Sequence, residues 1–390
     1  MSEAVQGSVA SGYEHVADAF GRTLAAGEQN GSALNIRVDG AVVVDLWAGE
    51  ADAATHRPWT PDTPTVVFSC TKGLVAILAA KLVDEGRLNL DQRVAEIWPE
   101  FAAAGKDTIT VRTLMAHRAG LASPRVDIDL ETALDWTAVT EVLAAQEPLW
   151  QPGTAYGYHA LTYGWLVGEV IRRVTGRSIG EHFDATIAAP LHADAWIGLP
   201  DRYADRVARL YPGANLPTPP AAGARQPTAE DARWMQRAMT LGAAFPPGLV
   251  TPNAGFDDPR VHRAEIPGAG GIATAAALAT IWSATVVPTE GIRLLGDAVI
   301  DDMTRVQSEG EPVWWLPGPY PRWGTGFMLT SGARDFLSDS SFGHDGAGGQ
   351  VAFADRDARV GFGYVTNRLE VANDNRGASL VQALRDVLTN

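Results

Sequence analysis

The stretch Thr65-Val66-Val67-Phe68-Ser69-Cys70-Thr71-Lys72-Gly73-Leu74-Val75-Ala76-Ile77-Leu78 passes within one turn from an extended run to an apolar helix. The spacing predicts that helix from Ser69 to about Glu85, with Gly86 as its stop. If Ser69 opens it, positions three apart share a face and the Lys72 amine reaches the Ser69 hydroxyl. A serine attacks a carbonyl near neutral pH only where a positioned group takes its proton, and Lys72 can do so if burial leaves it uncharged. Free backbone N–H groups at a helix start favour developing negative charge, which makes the Ser69 N–H one candidate arm of an oxyanion hole. The bland alternative is Ser69 as an N-cap and Lys72 as a solvated first-turn residue. A cation there opposes the helix dipole, and both flanks are apolar, which weighs against that alternative.

The Ser69 helix is apolar on most sides, so it belongs between layers rather than on a surface. Ahead of it, Tyr13 to Ala26 reads as an amphipathic helix, and Ala33 to Val38 with Ala41 to Trp47 reads as a hairpin turned by Asp39-Gly40. Leu130 to Ala145 and Leu161 to Val174 are helical in pattern, and proline and glycine dominate from Tyr211 to Pro227 and around Phe245 to Gly248. Another helix starts after Thr274, strands follow at 326–329, 350–355 and 360–366, and Ala378 to Leu388 is a closing amphipathic helix. The economical fold is α/β in the α+β sense: an antiparallel sheet built from both chain ends and flanked by helices. Residues 1–80 and 320–390 are expected to form that part, and residues 81–319 an inserted, mainly helical domain with proline-rich loops. The active-site cleft is expected between the two.

Other chemistry-bearing residues are scattered. Tyr158 stands just before the helix at Leu161, where a phenol can accept or relay a proton if a cation lowers its pKa, the ordinary alternative for an aromatic there being packing. His117 has no acidic or thiol partner nearby in sequence and reads as structural, and Cys70 reads as a small buried hydrophobe rather than a nucleophile. Gly176-Arg177-Ser178-Ile179-Gly180 has the form of a nucleophile elbow but follows a helix, not a strand, so Gly176 reads as a helix cap and Ser178 with Glu181 as a capping box. The loop Trp314 to Trp323 carries aromatics suited to lining an apolar pocket or to packing. Gly343-His344-Asp345-Gly346-Ala347-Gly348-Gly349 lets a ligand approach the backbone closely, or is a plain glycine turn.

Composition narrows the classes. A net charge of -15 disfavours nucleic acid and anionic lipid as partners. The single cysteine excludes an intrachain disulfide, and no histidine spacing suits a metal, so no metal or cofactor is expected. No run has the length of a membrane span and the N-terminus carries no export signal, which makes a cytoplasmic protein the expectation. Oligomeric state leaves no mark in the sequence.

Three pieces occur in order: Ser69-Cys70-Thr71-Lys72, Tyr158-His159-Ala160 and His344-Asp345-Gly346. Together they resemble the S-x-x-K, Y-x-N and K-T-G or H-x-G pattern of the serine β-lactamase-like superfamily, and most of all class C β-lactamases and family VIII carboxylesterases. The resemblance implies that Ser69 is acylated, that Lys72 and Tyr158 share the proton relay, and that the Ser69 and Ala347 N–H groups form the oxyanion hole. It further implies auxiliary or substrate-binding places for His344, Gly346 and Trp323. Ala160 and His344 replace an asparagine and a lysine suited to anionic β-lactams. The expected activity is therefore hydrolysis of small esters with short acyl groups, no cofactor being needed. The alternatives are a β-lactamase, a D-amino-acid peptidase or a 6-aminohexanoate-type amide hydrolase of the same fold, and, from another class, a non-catalytic binding or assembly homologue.

Overall fold

The computed structural model describes residues 5–24, 31–213, 225–370 and 374–389. In chain order the strands that position the site are β1 (Gln6–Val9), β2 (Ser32–Val38), β3 (Ala41–Ala48), β4 (Thr65–Val66), β5 (Ala195–Ile197), β6 (Gly271–Ala273), β7 (Arg322–Trp323), β8 (Met328–Leu329), β9 (Ser341–Asp345), β10 (Val351–Asp355) and β11 (Val360–Thr366). The helices are α1 (Glu14–Leu24), α2 (Cys70–Asp84), α3 (Thr162–Thr175), α4 (Ala229–Thr240), α5 (Ala275–Val286) and α6 (Arg376–Thr389). Eight strands make one antiparallel sheet in the order β1-β3-β2-β11-β10-β9-β8-β7, so both chain ends contribute as the sequence predicts. The β2–β3 hairpin turns at Asp39 and Gly40, whose φ values of 51° and 80° are what that dipeptide tolerates.

Period-two alternation sorts the sheet's two faces. Val360, Phe362 and Tyr364 of β11 join Phe20, Leu380 and Leu384 of α1 and α6 in one apolar cluster. The residues between them, Gly361 and Gly363, face α5: a Cβ would lie 2.3 Å from the Ala279 carbonyl oxygen and 2.4 Å from that of Ala275. Only a strand with no side chains there lets the helix backbone lie directly on the sheet. This helix falls inside the segment 81–319 that the sequence reading treats as inserted, and no periodicity in α5 itself reveals that it packs on the sheet. A small three-stranded sheet, β4-β6-β5, joins the entry of α2 to the segment before α5.

Helix α2 is buried at every position from Cys70 to Ala80, packed between β9 and α3. Each of its fully buried leucines contributes roughly 1.5–3 kcal/mol, and this burial holds the first turn in place. The pattern read as one helix from Leu130 to Ala145 is two, Leu130–Leu134 and Trp136–Ala145. Asp135 divides them because its carboxylate accepts the Thr137 and Ala138 N–H groups at 2.9 and 3.2 Å and caps the second. The end of the helix expected to run to Ala26 and most of the loop expected over 211–227 lie outside the described residues. Among the described residues no helix is long and apolar enough to cross a membrane.

Candidate active site

The turn into α2 is held in an unusual shape. Phe68 has φ +44°, a left-handed conformation costly for a non-glycine residue, and Ser69 follows in helical geometry at φ -67°. Two contacts hold the turn from segments remote in sequence. Thr71 Oγ1 donates to the Phe68 carbonyl at 2.5 Å and accepts the Gly271 N–H at 2.8 Å, while the Val67 N–H donates to the Gly271 carbonyl at 2.9 Å. Ser69 is thereby left half-exposed at the head of a buried helix.

Lys72 Nζ lies 3.1 Å from Ser69 Oγ and donates to the Gly268 carbonyl at 2.6 Å. The side chain is fully buried, and loss of hydration lowers its pKa from 10.5 to about 7, the nearby Asp345 carboxylate opposing part of the fall. A neutral amine therefore exists here near physiological pH, with its lone pair in reach of the serine proton. The solvated reading of Lys72 does not hold.

Tyr158 arrives from the loop before α3. Its ring stacks on Trp323 at 5.3 Å, meets the His117 edge at 5.0 Å, and has Lys72 Nζ 4.8 Å from its centroid. Burial pushes the phenol pKa well above its ordinary value although the Ser69 hydroxyl is a hydrogen-bond partner, so the phenol keeps its proton and can hand it on. His344 lies beside this group, its ring 6.1 Å from that of Tyr158. Its Nδ1 donates to the Asp345 carbonyl at 2.7 Å, which leaves the lone pair on Nε2, a buried atom with no partner among the described residues. Burial lowers the His344 pKa to about 4, so the ring is neutral.

The loop after β9 completes the floor. A Cβ on Gly346 would sit 2.5 Å from the Val67 carbonyl oxygen, so glycine is what lets this loop run against the chain entering Ser69. The Gly346 N–H is taken by the Gln350 carbonyl at 2.8 Å. In contrast, the N–H groups of Ser69 and Ala347 make no hydrogen bond with any described residue. Both residues line the same cavity, so two unpartnered donors border the Ser69 hydroxyl.

That cavity has a volume of about 470 Å³. Its walls come from Tyr156, Met235 and Met239 of α4, and Trp314, Tyr320 and Trp323 of the aromatic loop, which resolves that loop's reading in favour of a pocket lining. No element is read from the sequence over residues 229–240, and nothing there singles out Met235 and Met239, which the structure places on a helix with its own capping box. His159 also escapes notice in sequence. Its N–H donates to His117 Nδ1 at 3.2 Å, its Nδ1 donates to the Gly157 carbonyl at 2.7 Å and its Nε2 accepts the Leu121 N–H at 3.1 Å. Burial lowers the His159 pKa to about 4 and that of His117 well below the usual range, so two neutral imidazoles clamp the loop that presents Tyr158.

The decoys behave as structure. Gly176 caps α3 at φ 72°, and Ser178 forms the expected capping box with Glu181 while its Oγ donates to Glu265 at 2.5 Å. The Cys70 thiol is buried against the His344 carbonyl at 3.3 Å, and desolvation raises its pKa well above the ordinary thiol value, opposite to what a nucleophile needs. Among the described residues no group of three His, Cys, Asp or Glu side chains gathers to hold a metal ion.

Comparison with known proteins agrees with this geometry. The β-lactamase family profile matches residues 16–385. The esterase/beta-lactamase LipL of Mycobacterium tuberculosis is 36% identical over 344 residues, 87% of this chain and 77% of that protein. The crystal structure of a family VIII carboxylesterase superposes with a TM-score of 0.87 at 35% identity, covering 98% of this chain and 100% of the other. A penicillin-binding-protein homologue from Caulobacter crescentus superposes with a TM-score of 0.85 at 37% identity, again over 98% and 100%. With the Ser69 helix, the two-ended antiparallel sheet and these full-length similarities in agreement, the chain belongs to the serine β-lactamase-like superfamily of hydrolases, alongside the family VIII carboxylesterases and penicillin-binding-protein homologues.

Proposed function

We propose that the protein is a serine carboxylesterase that hydrolyses small esters with short acyl groups through an acyl-enzyme on Ser69. The observation that carries this reading is the buried Lys72 amine, 3.1 Å from Ser69 Oγ with a pKa near 7. As Oγ bonds to the ester carbonyl carbon, its proton passes to Lys72, and the carbonyl oxygen becomes an oxyanion facing the Ser69 and Ala347 N–H groups. Collapse expels the alkoxide, which takes a proton from the Tyr158 phenol while Lys72 restores that proton. Water then adds to the acyl-enzyme carbonyl as the same relay takes its proton, the bond from the acyl carbon to Oγ breaks, the relay returns that proton to Ser69 Oγ, and the acid leaves. Similarity to the esterase/beta-lactamase LipL and to the family VIII carboxylesterase favours ester chemistry.

A fluorophosphonate probe tests the assignment. Intact mass should rise by one adduct, with the modified peptide carrying Ser69. An adduct elsewhere, or none, refutes it. The second reading, β-lactam hydrolysis, draws on the LipL name and on the penicillin-binding-protein homologue. Ala160 lines the cavity where the family pattern has an asparagine, which favours the ester. Nitrocefin turnover matching that of p-nitrophenyl butyrate would reverse the choice.

A further inference from the structure

The cavity is almost wholly apolar, and apart from tyrosine phenols it contains one ionisable side chain. Asp345 lines it beside Ser69, Gly346 and Ala347, and its side chain is 26% exposed. The carboxylate is unevenly compensated. Both contacts from Arg334, Nε at 3.0 Å and Nη2, fall on Oδ2. Among the described residues Oδ1 has only the neutral His344 Nδ1 at 3.7 Å, beyond hydrogen-bond distance, and that nitrogen already donates to the Asp345 carbonyl. No lysine, arginine or histidine among the described residues lines the cavity to balance it.

Resting on the hydrolase reading above, we propose that Asp345 is a specificity-determining residue: its carboxylate, with Oδ1 lacking a hydrogen-bond donor, makes the cavity reject esters bearing a carboxylate near the scissile bond and accept neutral ones. An incoming anion leaves water for apolar walls and meets the Oδ1 edge of a carboxylate whose counter-ion, Arg334, sits on Oδ2 and is not part of the lining. Repulsion at contact range in a partly desolvated site is worth about 10²-fold in kcat/KM, expressed chiefly in KM because it acts on binding as well as on the transition state.

The test compares p-nitrophenyl butyrate with p-nitrophenyl hemisuccinate, which share a leaving group and differ in a terminal carboxylate. The wild-type protein should prefer the butyrate by about 10²-fold, and Asp345→Asn, which also leaves Arg334 without its counter-ion, should shrink that ratio at least about tenfold. Raising ionic strength should increase kcat/KM for the hemisuccinate and not for the butyrate in the wild type, a readout that does not depend on the variant folding. A ratio near one, a ratio unmoved by Asp345→Asn, or a hemisuccinate rate insensitive to salt each overturns the proposal. If Ser69→Ala still turns over the butyrate, the failure lies instead in the hydrolase reading.

Discussion

The acid limb of the pH profile should belong to Lys72. A fall in its pKa from 10.5 to about 7 means that the fold disfavours the ammonium by on the order of 5 kcal/mol relative to water. Only the neutral amine accepts the Ser69 proton, so kcat/KM for p-nitrophenyl butyrate should fall about tenfold per pH unit below pH 7, reaching about 1% of its plateau near pH 5. The buried imidazoles, the phenol and the thiol beside the site do not titrate there. His344 and His159 are lowered to about 4, His117 lies well below the usual histidine range, and Tyr158 and Cys70 are raised. Asp345 favours the ammonium, so Asp345→Asn should lower the Lys72 pKa and move the limb to lower pH. The same shift has a signature in stability. The unfolded chain holds the Lys72 proton between about pH 7 and 10.5 where the folded protein does not, so this contribution to stability rises across that window and is lost as pH falls through it. Urea titrations should therefore show the stability difference between wild type and Lys72→Met changing between pH 7 and pH 10 in favour of the wild type. A kcat/KM that stays flat down to pH 5, or a limb unmoved by Asp345→Asn, would refute the assignment.

Three further outcomes follow from geometry. Thr71→Val keeps the volume but removes the Phe68 and Gly271 hydrogen bonds, so urea melts should show a loss of about 1–3 kcal/mol with a fall in kcat. Gly346→Ala places a Cβ 2.5 Å from the Val67 carbonyl oxygen, and displacement of the Ala347 N–H should lower kcat by about 10²-fold with less effect on KM in steady-state assays. Ser178→Ala should leave ester kcat/KM unchanged while lowering stability by about 1 kcal/mol, since the residue serves a capping box and Glu265.

What the sequence reveals is what local rules govern. Ser69 and Lys72 are three apart on one helix, Asp39-Gly40 turns one hairpin, and Ser178 with Glu181 caps one helix start, so periodicity and turn chemistry are enough to find them. Tyr158 and the loop after β9 are legible only through the joint occurrence of three motifs, because no spacing rule links residues that meet across nearly three hundred positions. The contacts that make the site work have no such mark. Gly268 receiving the Lys72 amine, Thr71 binding the Gly271 N–H and His159 bracing the Tyr158 loop are each an ordinary residue until a distant segment is placed beside it. The cavity wall from α4 is equally silent, since an inward-facing methionine on a helix looks the same whether it meets a core or a pocket.

Several unfavourable features of this fold meet around one hydroxyl. Phe68 is held at positive φ, Lys72 is stripped of water, and among the described residues His344 Nε2 finds no partner and the Ser69 and Ala347 N–H groups no acceptor. Each is destabilising by itself, and the burial of α2 from Cys70 to Ala80 offsets them. One cause unites them. Excluding water lowers the pKa of the amine to about 7 and, in the acyl-transfer mechanism proposed above, would strengthen two fixed N–H dipoles toward charge that appears only in the transition state. The apolar walls thus act on the chemistry as well as on binding: a polar side chain at Trp323 or Met328 that admits water would raise the Lys72 pKa and weaken both donors, so kcat would fall even for a substrate that touches neither residue.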